Sequence, residues 1–464
     1  MAWYSKDKFS QLRKRLGKDR VITTPETLAL YGVDATSFRG VPSAVVFAHT
    51  TEDIQGTVDF AREAGMSITP RGRGSGMSGG SVPSDGSIVL TCEKMSGFIK
   101  FDKENKSAII QPGVVTKELQ DAVARHDLFY PPDPSSYSIS SIGGNVAENA
   151  GGLRCFKYGV TGHYINGLEY IDATGEIKTT GVFSNSVFEP DLTSLLVGSE
   201  GTLGIFSKVG VRLIPAPEHT QTLTAIFETS QKGFNAIEAI ITSGIVPSVM
   251  EFIDKRALAA AASYTGVTFP PEANALALLE LDGTKDEVEE LLPKVLKTLG
   301  NYSISHEIAE NDSHRERLWQ LRRAISPSLA RITTGKIHED IAVPRGKLSE
   351  MARRVDIVAM ARKLEIAVYG HAGDGNLHIV IMFDKGDASK ARVAREAANE
   401  IFKSALAYGG TITGEHGVGI SKLNILNWQL SEDVVGISRQ IKELFDPTNL
   451  FNPGKIFNSN RTAR

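Results

Sequence analysis

The stretch YGHAGDGNLHIVIMF, residues 369–383, sets two imidazoles either side of a short, acidic, glycine-rich turn. EIAVYGH and NLHIVIMF carry the apolar and β-branched residues of strands, with AGDGN between them, so the pattern predicts a hairpin. A hairpin brings its ends together, and His371 and His378 can then converge on one point. Further along, TGEHGVG brackets Glu415 and His416 with glycines. Two imidazoles and one carboxylate, with positions left open, make the donor set of a catalytic transition-metal site. His371, His378 and Glu415 are the candidate ligands, with Zn²⁺ favoured and Mn²⁺ or Fe²⁺ as alternatives. In a regular strand Glu415 and His416 would face opposite ways, but Gly414 and Gly417 relax that rule. His416 is then the candidate general base, imidazole being the side chain that titrates near neutral pH; a fourth metal ligand is its other role. Asp374 and Asn376 are read as shaping the turn.

A second cation-bearing element is SHRERLWQLRRAISPSLARI, residues 313–332. Ser313 and Glu316 fit a capping box, and Leu318, Leu321, Ile325 and Leu329 line one helical face. Arg322 falls inside that face. It is either a snorkelling edge residue or an inward cation awaiting an anion. Pro327 is expected to kink the helix just after it.

The glycines carry the other signal. There are 44, clustered at 72–80, 143–152, 198–204, 370–375 and 409–419. TPRGRGSGMSGGSVP holds GxGxxG at Gly74, Gly76 and Gly79, but the Gly and Pro that follow deny the helix a doubly wound dinucleotide fold requires. Nor is it a GxxxxGK[ST] phosphate loop. What remains is a run of backbone N–H groups able to curl around an anion such as pyrophosphate. PPDPSSYSISSIGGNVAENAGGLRCFKYG (131–159) and DLTSLLVGSEGTLGI (191–205) add two more glycine loops. Together they predict a backbone-lined groove holding a long, flat, phosphate-bearing molecule.

The elements that must position these residues read as α+β. Strands are expected at SAVVFAHT, MSITP, SIVLTCEKM and SAIIQPG, helices at TEDIQGTVDFAREAG and TKELQDAVARHDL, and a hairpin at GLEYIDATGEIKTT. PAPEHT (215–220) marks a domain border, after which TLTAIFE, a helix at 230–243 and ALALLELDG begin a second α+β unit. At 464 residues the chain suggests two or three domains. A net charge of −3 carries no nucleic-acid footprint. No run approaches the ~18 apolar residues of a transmembrane helix. The basic N-terminus, MAWYSKDKFSQLRKRLGKDR, lacks an apolar signal core and reads as a surface helix. Cys92 and Cys155 are the only cysteines. They form no disulfide framework and no CxxC, which points to the cytoplasm, with peripheral attachment at a membrane as the alternative.

The glycine-rich segments resemble the FAD-binding domain of the vanillyl-alcohol oxidase and p-cresol methylhydroxylase superfamily. The branch is that of the glycolate oxidase D subunit, D-lactate dehydrogenases and D-2-hydroxyglutarate dehydrogenase. The resemblance runs from about residue 20 to FDPTNLFNPGKIF (445–457). It implies a two-part FAD-binding domain over 1–218, an α+β substrate cap with an antiparallel sheet over 219–425, and a C-terminal segment, 426–464, returning to the FAD domain. By resemblance, Arg71, Gly72, Arg73, Gly74, Ser75 and Gly76 would wrap the FAD pyrophosphate. Ile142, Gly143, Gly144, Asn145 and Asn149 would line the flavin and ribityl region. Gly201, Gly204 and Ile205 would meet the adenine or pyrophosphate side, and Asn452 the isoalloxazine. Ser75 stands where covalently tethered members often carry histidine, so the FAD is expected to be dissociable. Arg73 replaces a small residue and is read as a phosphate contact or a solvent-facing side chain; Cys155 is read as a small structural residue.

HAGDGNLH and GEHG match the metal-dependent branch. The implied chemistry is oxidation of a D-2-hydroxy acid, D-lactate or glycolate favoured, to the 2-oxo acid, with His416 as base and hydride passing to flavin N5. Arg322, as the matching family arginine, would clamp the substrate carboxylate. In GKIHEDIAVP (335–344), Lys336 and His338 are both candidates for a further substrate contact. A dicarboxylate such as D-2-hydroxyglutarate would use that additional cation. Other readings are a non-redox FAD enzyme of the ether-lipid synthase type and a non-catalytic subunit of an electron-transfer complex; a zinc hydrolase would leave the glycine loops unexplained. The two cysteines cannot ligate an iron–sulfur relay. Electrons would therefore leave through an electron-transfer flavoprotein, an iron–sulfur subunit or a quinone.

Overall fold

The computed structural model describes residues 8–184 and 190–457. Of the N-terminal stretch read as a surface helix, residues 1–7 lie outside the described residues. The helix that follows, Ser10–Leu16, buries Leu12 and Leu16 and so docks on the core.

The chain forms two compact units. One comprises the segments up to Ala150, Val160–Ala216 and His416 onward; the other comprises Gly151–Gly159 and Pro217–Glu415. The sequence reading puts borders after residues 218 and 425. Residues 416–425 group with the first unit because Glu200 accepts the backbone N–H groups of Val418 and Gly419 (2.8 and 2.6 Å) and the Ser78 carbonyl accepts those of Ile420 and Ser421. Gly151–Gly159 groups with the second because Lys157 and Tyr158 both bond the Asp282 carboxylate (2.5 and 2.8 Å).

The first unit holds two principal sheets. Val21–Ile22, Ala44–Phe47, Ile88–Thr91 and Ile68–Arg71 lie side by side, the last three parallel. Parallel strands need a crossover; the helix Thr51–Ala64 carries the chain from Ala44–Phe47 to Ile68–Arg71, on either side of Ile88–Thr91, starting in a Thr50/Asp53 capping box and stopping at Gly65 in the left-handed region. The second sheet is antiparallel, in the order Phe98–Asp102, Ser107–Ile110, Ile205–Arg212, Ile165–Ile171, Ile177–Thr179. Beyond Arg71 the chain enters no helix; residues 72–80 form bends and a turn, as the glycine and proline content requires.

The second unit is built on a seven-stranded antiparallel sheet, in the order Ser305–Ile308, His219–Phe227, Ala275–Gly283, Val249–Asp254, Glu365–His371, Asn376–Phe383, Gly335–Ala342. Val249–Asp254 is buried at every position, so both faces of the sheet are covered. On one face Ile253, Leu276, Leu278, Tyr369 and Val380 pack against the helices Lys255–Thr265 and Asp312–Arg331. The α+β class and the antiparallel cap sheet are as the sequence implies.

One detail of the Asp312–Arg331 helix differs from expectation. Its N-cap is Asn311, whose side chain accepts from His314 N–H (2.9 Å), not Ser313; Glu316 pairs with Arg323 instead of closing a capping box. Pro327 lies inside the helix, which runs on to Arg331. Among the described residues no helix is long and apolar enough to cross a membrane.

Asp254 caps the helix Lys255–Thr265 and also accepts the Val368 N–H (2.9 Å), and its burial pushes its carboxyl up to about 7. The folded state therefore holds an extra proton between the ordinary carboxylate range and about pH 7, and stability falls as pH rises through that window. One such group gives a slope of about 1.4 kcal/mol per pH unit. Asp254→Asn is expected to flatten that slope, read as denaturant midpoints of metal-stripped protein at several pH values between 4 and 7; an unchanged slope would show that Asp254 does not carry it.

Candidate functional site

In the second unit the predicted hairpin forms as Glu365–His371 and Asn376–Phe383, with Tyr369 opposite His378. Side chains alternate between faces along a strand, so the register decides which of them meet. Glu251 is the cross-strand partner of His371, and Asp340 that of His378. Glu251, Tyr369, His371, His378 and Asp340 thus share one face of the sheet.

His371 and His378 present their Nε2 atoms to each other at 3.4 Å. Glu415 Oε1 lies 3.3 Å from the first and 3.6 Å from the second. Both histidines are buried, and Glu415 is half-buried. Three donors around a tetrahedral cation at ~2.0–2.1 Å would stand ~3.3 Å apart. The observed triangle is of a size that could hold a divalent cation. Electrostatics agrees: burial opposes a charge on His371, yet the Glu251 and Glu415 carboxylates outweigh it and raise its proton affinity well above the ordinary value. The pocket attracts positive charge, and a coordinated cation would satisfy it in place of the proton.

Glu251 is the residue that sequence reasoning missed. It is fully buried in the strand Val249–Asp254. Its Oε1 accepts from His371 Nδ1 (2.5 Å) and its Oε2 from Arg322 Nε (2.6 Å). Burial favours the neutral acid, but Arg322 and His371 override it and hold the carboxyl down at about 2. The bond to Nδ1 fixes the tautomer that leaves Nε2 as the donor lone pair, the outer-shell partner that metal-binding histidines usually have. The one signal in the sequence was an acid inside an apolar strand, VMEFID, which must find a cation.

Arg322 is therefore neither a snorkelling edge residue nor a cation without an anion. It is buried, paired with Glu251 and set over the Tyr369 ring (5.1 Å to the centroid). Its Nη2 is nonetheless buried without a hydrogen-bond partner. His338, half-buried, lies 5.6 Å from His378 ring to ring and 6.2 Å from Tyr369. Lys336 is two residues away on the same strand face, exposed and opposite Met382. Asp374 N–H donates to the His371 carbonyl (3.1 Å), a turn bond. Asn376 Nδ2 donates to the Ile341 carbonyl (3.3 Å). His416 is half-buried and next in the chain after Glu415.

The first unit contains the glycine loops. Gly72, Gly74, Ser75 and Gly76 are half-buried and Arg73 is exposed. A Cβ on Gly72 would lie 2.4 Å from Ser141 Oγ, so two loops approach there at backbone distance. No acceptor for the backbone N–H groups of Gly74, Ser75 and Gly76 lies among the described residues. The Arg71 guanidinium lies against the loop at Gly74, where an added Cβ would come 1.9 Å from Nη2. It turns inward, donating to the Val33 carbonyl (2.7 Å) and stacking on Tyr31 (5.2 Å). Ile142, Gly143, Gly144 and Asn145 fall in the short helix Ile142–Glu148, capped by Ser141. Asn145 Nδ2 donates to Thr116 (2.7 Å), and Asn149 Oδ1 accepts from Gly162 N–H (2.8 Å). Gly201 and Gly204 are buried, and Ile205 opens a strand and packs into the core.

The closing segment ties these loops together. Asn452 Nδ2 donates to the carbonyls of Gly80 (3.0 Å) and Glu200 (2.8 Å). Lys455 Nζ donates to those of Gly79 (2.8 Å), Gly80 (3.1 Å) and Val82. Burial brings the Lys455 ammonium down to about 8, against the pull of Asp34, Glu200 and Glu148. Ser78 Oγ, Ser199 Oγ and Asn452 Oδ1 are buried there without partners. Unused N–H donors beside orphaned polar atoms fit a polar, anionic ligand such as the FAD pyrophosphate.

Residues 42–181 match the family model of an FAD binding domain, and residues 216–456 that of the FAD linked oxidases, C-terminal domain. The chain is 38% identical to glycolate oxidase subunit GlcD of Bacillus subtilis, over 98% of this chain and 97% of that protein. It is 34% identical to D-lactate dehydrogenase of Archaeoglobus fulgidus, over 89% and 90%. The fold matches the crystal structure of p-cresol methylhydroxylase with substrate bound at a TM-score of 0.80 and 19% identity, over 98% of this chain and 97% of that one.

Two outcomes are expected. Glu251→Gln, which keeps the shape and removes the charge, should weaken zinc binding by about 10- to 100-fold in chelator competition. Glu251→Ala, which strands Arg322 in the interior, should cost about 3–5 kcal/mol in denaturant melts. In the first unit, Lys455→Met should lower the flavin-to-protein ratio after gel filtration at least severalfold while leaving zinc binding unchanged; full flavin retention would remove Lys455 as the tie of the glycine loop.

Proposed function

The chain belongs to the FAD-linked oxidases, and from that premise we propose that it oxidises a D-2-hydroxy acid, D-lactate or glycolate favoured, to the 2-oxo acid with the help of a divalent cation. The observation that carries the metal-assisted reading is the triangle of His371, His378 and Glu415, with sides of 3.3, 3.4 and 3.6 Å. The substrate class rests on what the glycolate oxidase and D-lactate dehydrogenase relatives are named for.

FAD would supply the two-electron acceptor for the hydride, and His371, His378 and Glu415 would hold a divalent cation whose charge would lower the pKa of the substrate hydroxyl. The protein's own groups do the rest. Glu251 holds His371 in the donor tautomer. Arg322 keeps Nη2 available after Nε has paired with Glu251, and that donor takes the substrate carboxylate. His416 accepts the hydroxyl proton as the C2 hydrogen leaves with its electron pair, so the two hydrogens lost depart as one proton and one hydride. His338 contacts the substrate beside His378, with Lys336 further out on the same strand. A dicarboxylate such as D-2-hydroxyglutarate would place its second carboxylate toward Lys336, which is the alternative the substrate screen decides. With Cys92 and Cys155 as its only cysteines, the chain passes electrons to an electron-transfer flavoprotein, an iron–sulfur subunit or a quinone.

The test is an anaerobic spectral screen with D-lactate, L-lactate, glycolate, D-2-hydroxyglutarate and D-malate. Flavin bleaching is expected with D-lactate or glycolate, lost on chelation and restored by zinc or manganese. His416→Ala should slow bleaching by about 10²- to 10⁴-fold. Undiminished reduction after chelation would remove the metal from the reaction, and native speed in His416→Ala would remove the base.

A further inference from the structure

Asp340 lies on the edge strand Gly335–Ala342, cross-strand from His378. It is fully buried. A buried carboxylate must be compensated. Its Oδ2 accepts the backbone N–H groups of Gly414 and Glu415, both at 2.6 Å. Thr413 Oγ1 stands 3.4 Å from both carboxylate oxygens. The chain reaches this point along the same edge strand, since Thr411 N–H donates to the Ala342 carbonyl (2.8 Å) in an isolated antiparallel bridge.

From this geometry we infer that Asp340 is the positioning residue for the Glu415 ligand: it anchors the backbone from which Glu415 projects and so sets the triangle with His371 and His378. The inference rests on the metal-assisted reading above and assigns that site a residue beyond its ligands. Two features support it. Two short bonds from one oxygen to successive N–H groups fix the orientation of the peptide between them, and the Glu415 Cα with it. Gly414 leaves no slack, because a Cβ there would lie 1.4 Å from Asn376 Nδ2 and 3.2 Å from Asp340 Oδ2. The turn that bears the ligand is thus clamped between Asp340 and the start of the hairpin strand that bears His378. The carboxylate thus aligns Glu415 through its backbone, while the strand that carries it pairs with the strand of His378.

The test measures zinc dissociation constants by chelator competition on the flavin-loaded full chain. Asp340→Ala is expected to weaken zinc binding about 10- to 100-fold. Asp340→Asn, which can still accept through its amide oxygen, should fall between it and the native protein. The discriminating readout is a double-mutant cycle with Glu415→Ala. If Asp340 acts through Glu415, then Asp340→Ala in the Glu415→Ala background weakens zinc no further. Additive losses would overturn the inference, as would native zinc affinity in a folded Asp340→Ala or Asp340→Asn protein, even if that protein melts lower. Should Asp340→Ala not fold, the same cycle with Asp340→Asn decides the matter. A native chain that takes up no zinc or manganese would remove the metal reading and the inference together; native uptake with an indifferent Asp340 would remove the inference alone.

Discussion

A carboxylate with no exposure to water, Glu251, holds an arginine with one oxygen and a histidine with the other. In a dry interior an unpaired charge is costly, so each member of this triad needs the others in place. Arg322 comes from the helix Asp312–Arg331, Glu251 from a central strand and His371 from a neighbouring one. The triad therefore joins three elements far apart in sequence at one point. A second station of the same kind fixes the helix's register. Arg315, two turns earlier, donates to buried Glu280 at 2.6 Å, and Trp319 between the two arginines donates to the same oxygen at 2.7 Å. A helix bolted at both places cannot rotate or slide without stranding a charge. Arg322 is thereby held beside His371, and the orientation of the histidine is coupled to that of the cation.

The two units reach precision by opposite means. In the second, side chains form the candidate site and strand register aims them. In the first, glycine keeps side chains out, and the backbone of Gly72–Gly76 offers its own donors. Such a loop has little packing to hold it, so its shape has to be imposed from behind. Arg71 does this from the strand side through Val33 and Tyr31, and Asn452 and Lys455 do it from the closing segment through the loop's carbonyls. Residues that look from their position like ligand contacts are in part the frame that keeps ligand contacts available.

What could be read from the sequence follows from how far each interaction reaches along the chain. The hairpin carrying His371 and His378 is a local pattern of alternating apolar residues and a glycine turn, and it was legible, as were the central strands and the long helices. The glycine loops were legible as something other than a helical dinucleotide motif because Val82-Pro83 forbids a helix. The cap of the Asp312–Arg331 helix was misplaced by two residues, since Asn311 and Ser313 both satisfy the chemistry of an N-cap and only the chain's entry path chooses between them. Glu251 shows in the sequence only as an acid inside an apolar strand, and its partners could not be named because they lie 71 and 120 residues away. The helical pattern puts Arg322 inside the apolar face but leaves a snorkelling edge residue and an inward cation equally open, and the Glu251 partner could not be named for the same reason. The domain borders were blurred where single carboxylates reassign a segment: Asp282 gathers Lys157 and Tyr158, and Glu200 gathers Val418 and Gly419.

Register also explains why an edge strand can carry so much of the site. Along Gly335–Ala342 the side-chain period is two, so Lys336, His338 and Asp340 share the face of His378 while Ile337, Glu339 and Ile341 take the other. A slip of one residue would turn Glu339 toward His378 and bury Asp340 among apolar side chains on the far face. An edge strand has a neighbour on one side only and is the strand most open to such a slip. Here the free side is met by the returning chain, which bridges Ala342 to Thr411 and delivers Gly414 and Glu415 to Asp340. The contact that places a candidate ligand is therefore also the contact that pins the strand. In this unit, site geometry and strand register are the same constraint seen from two sides.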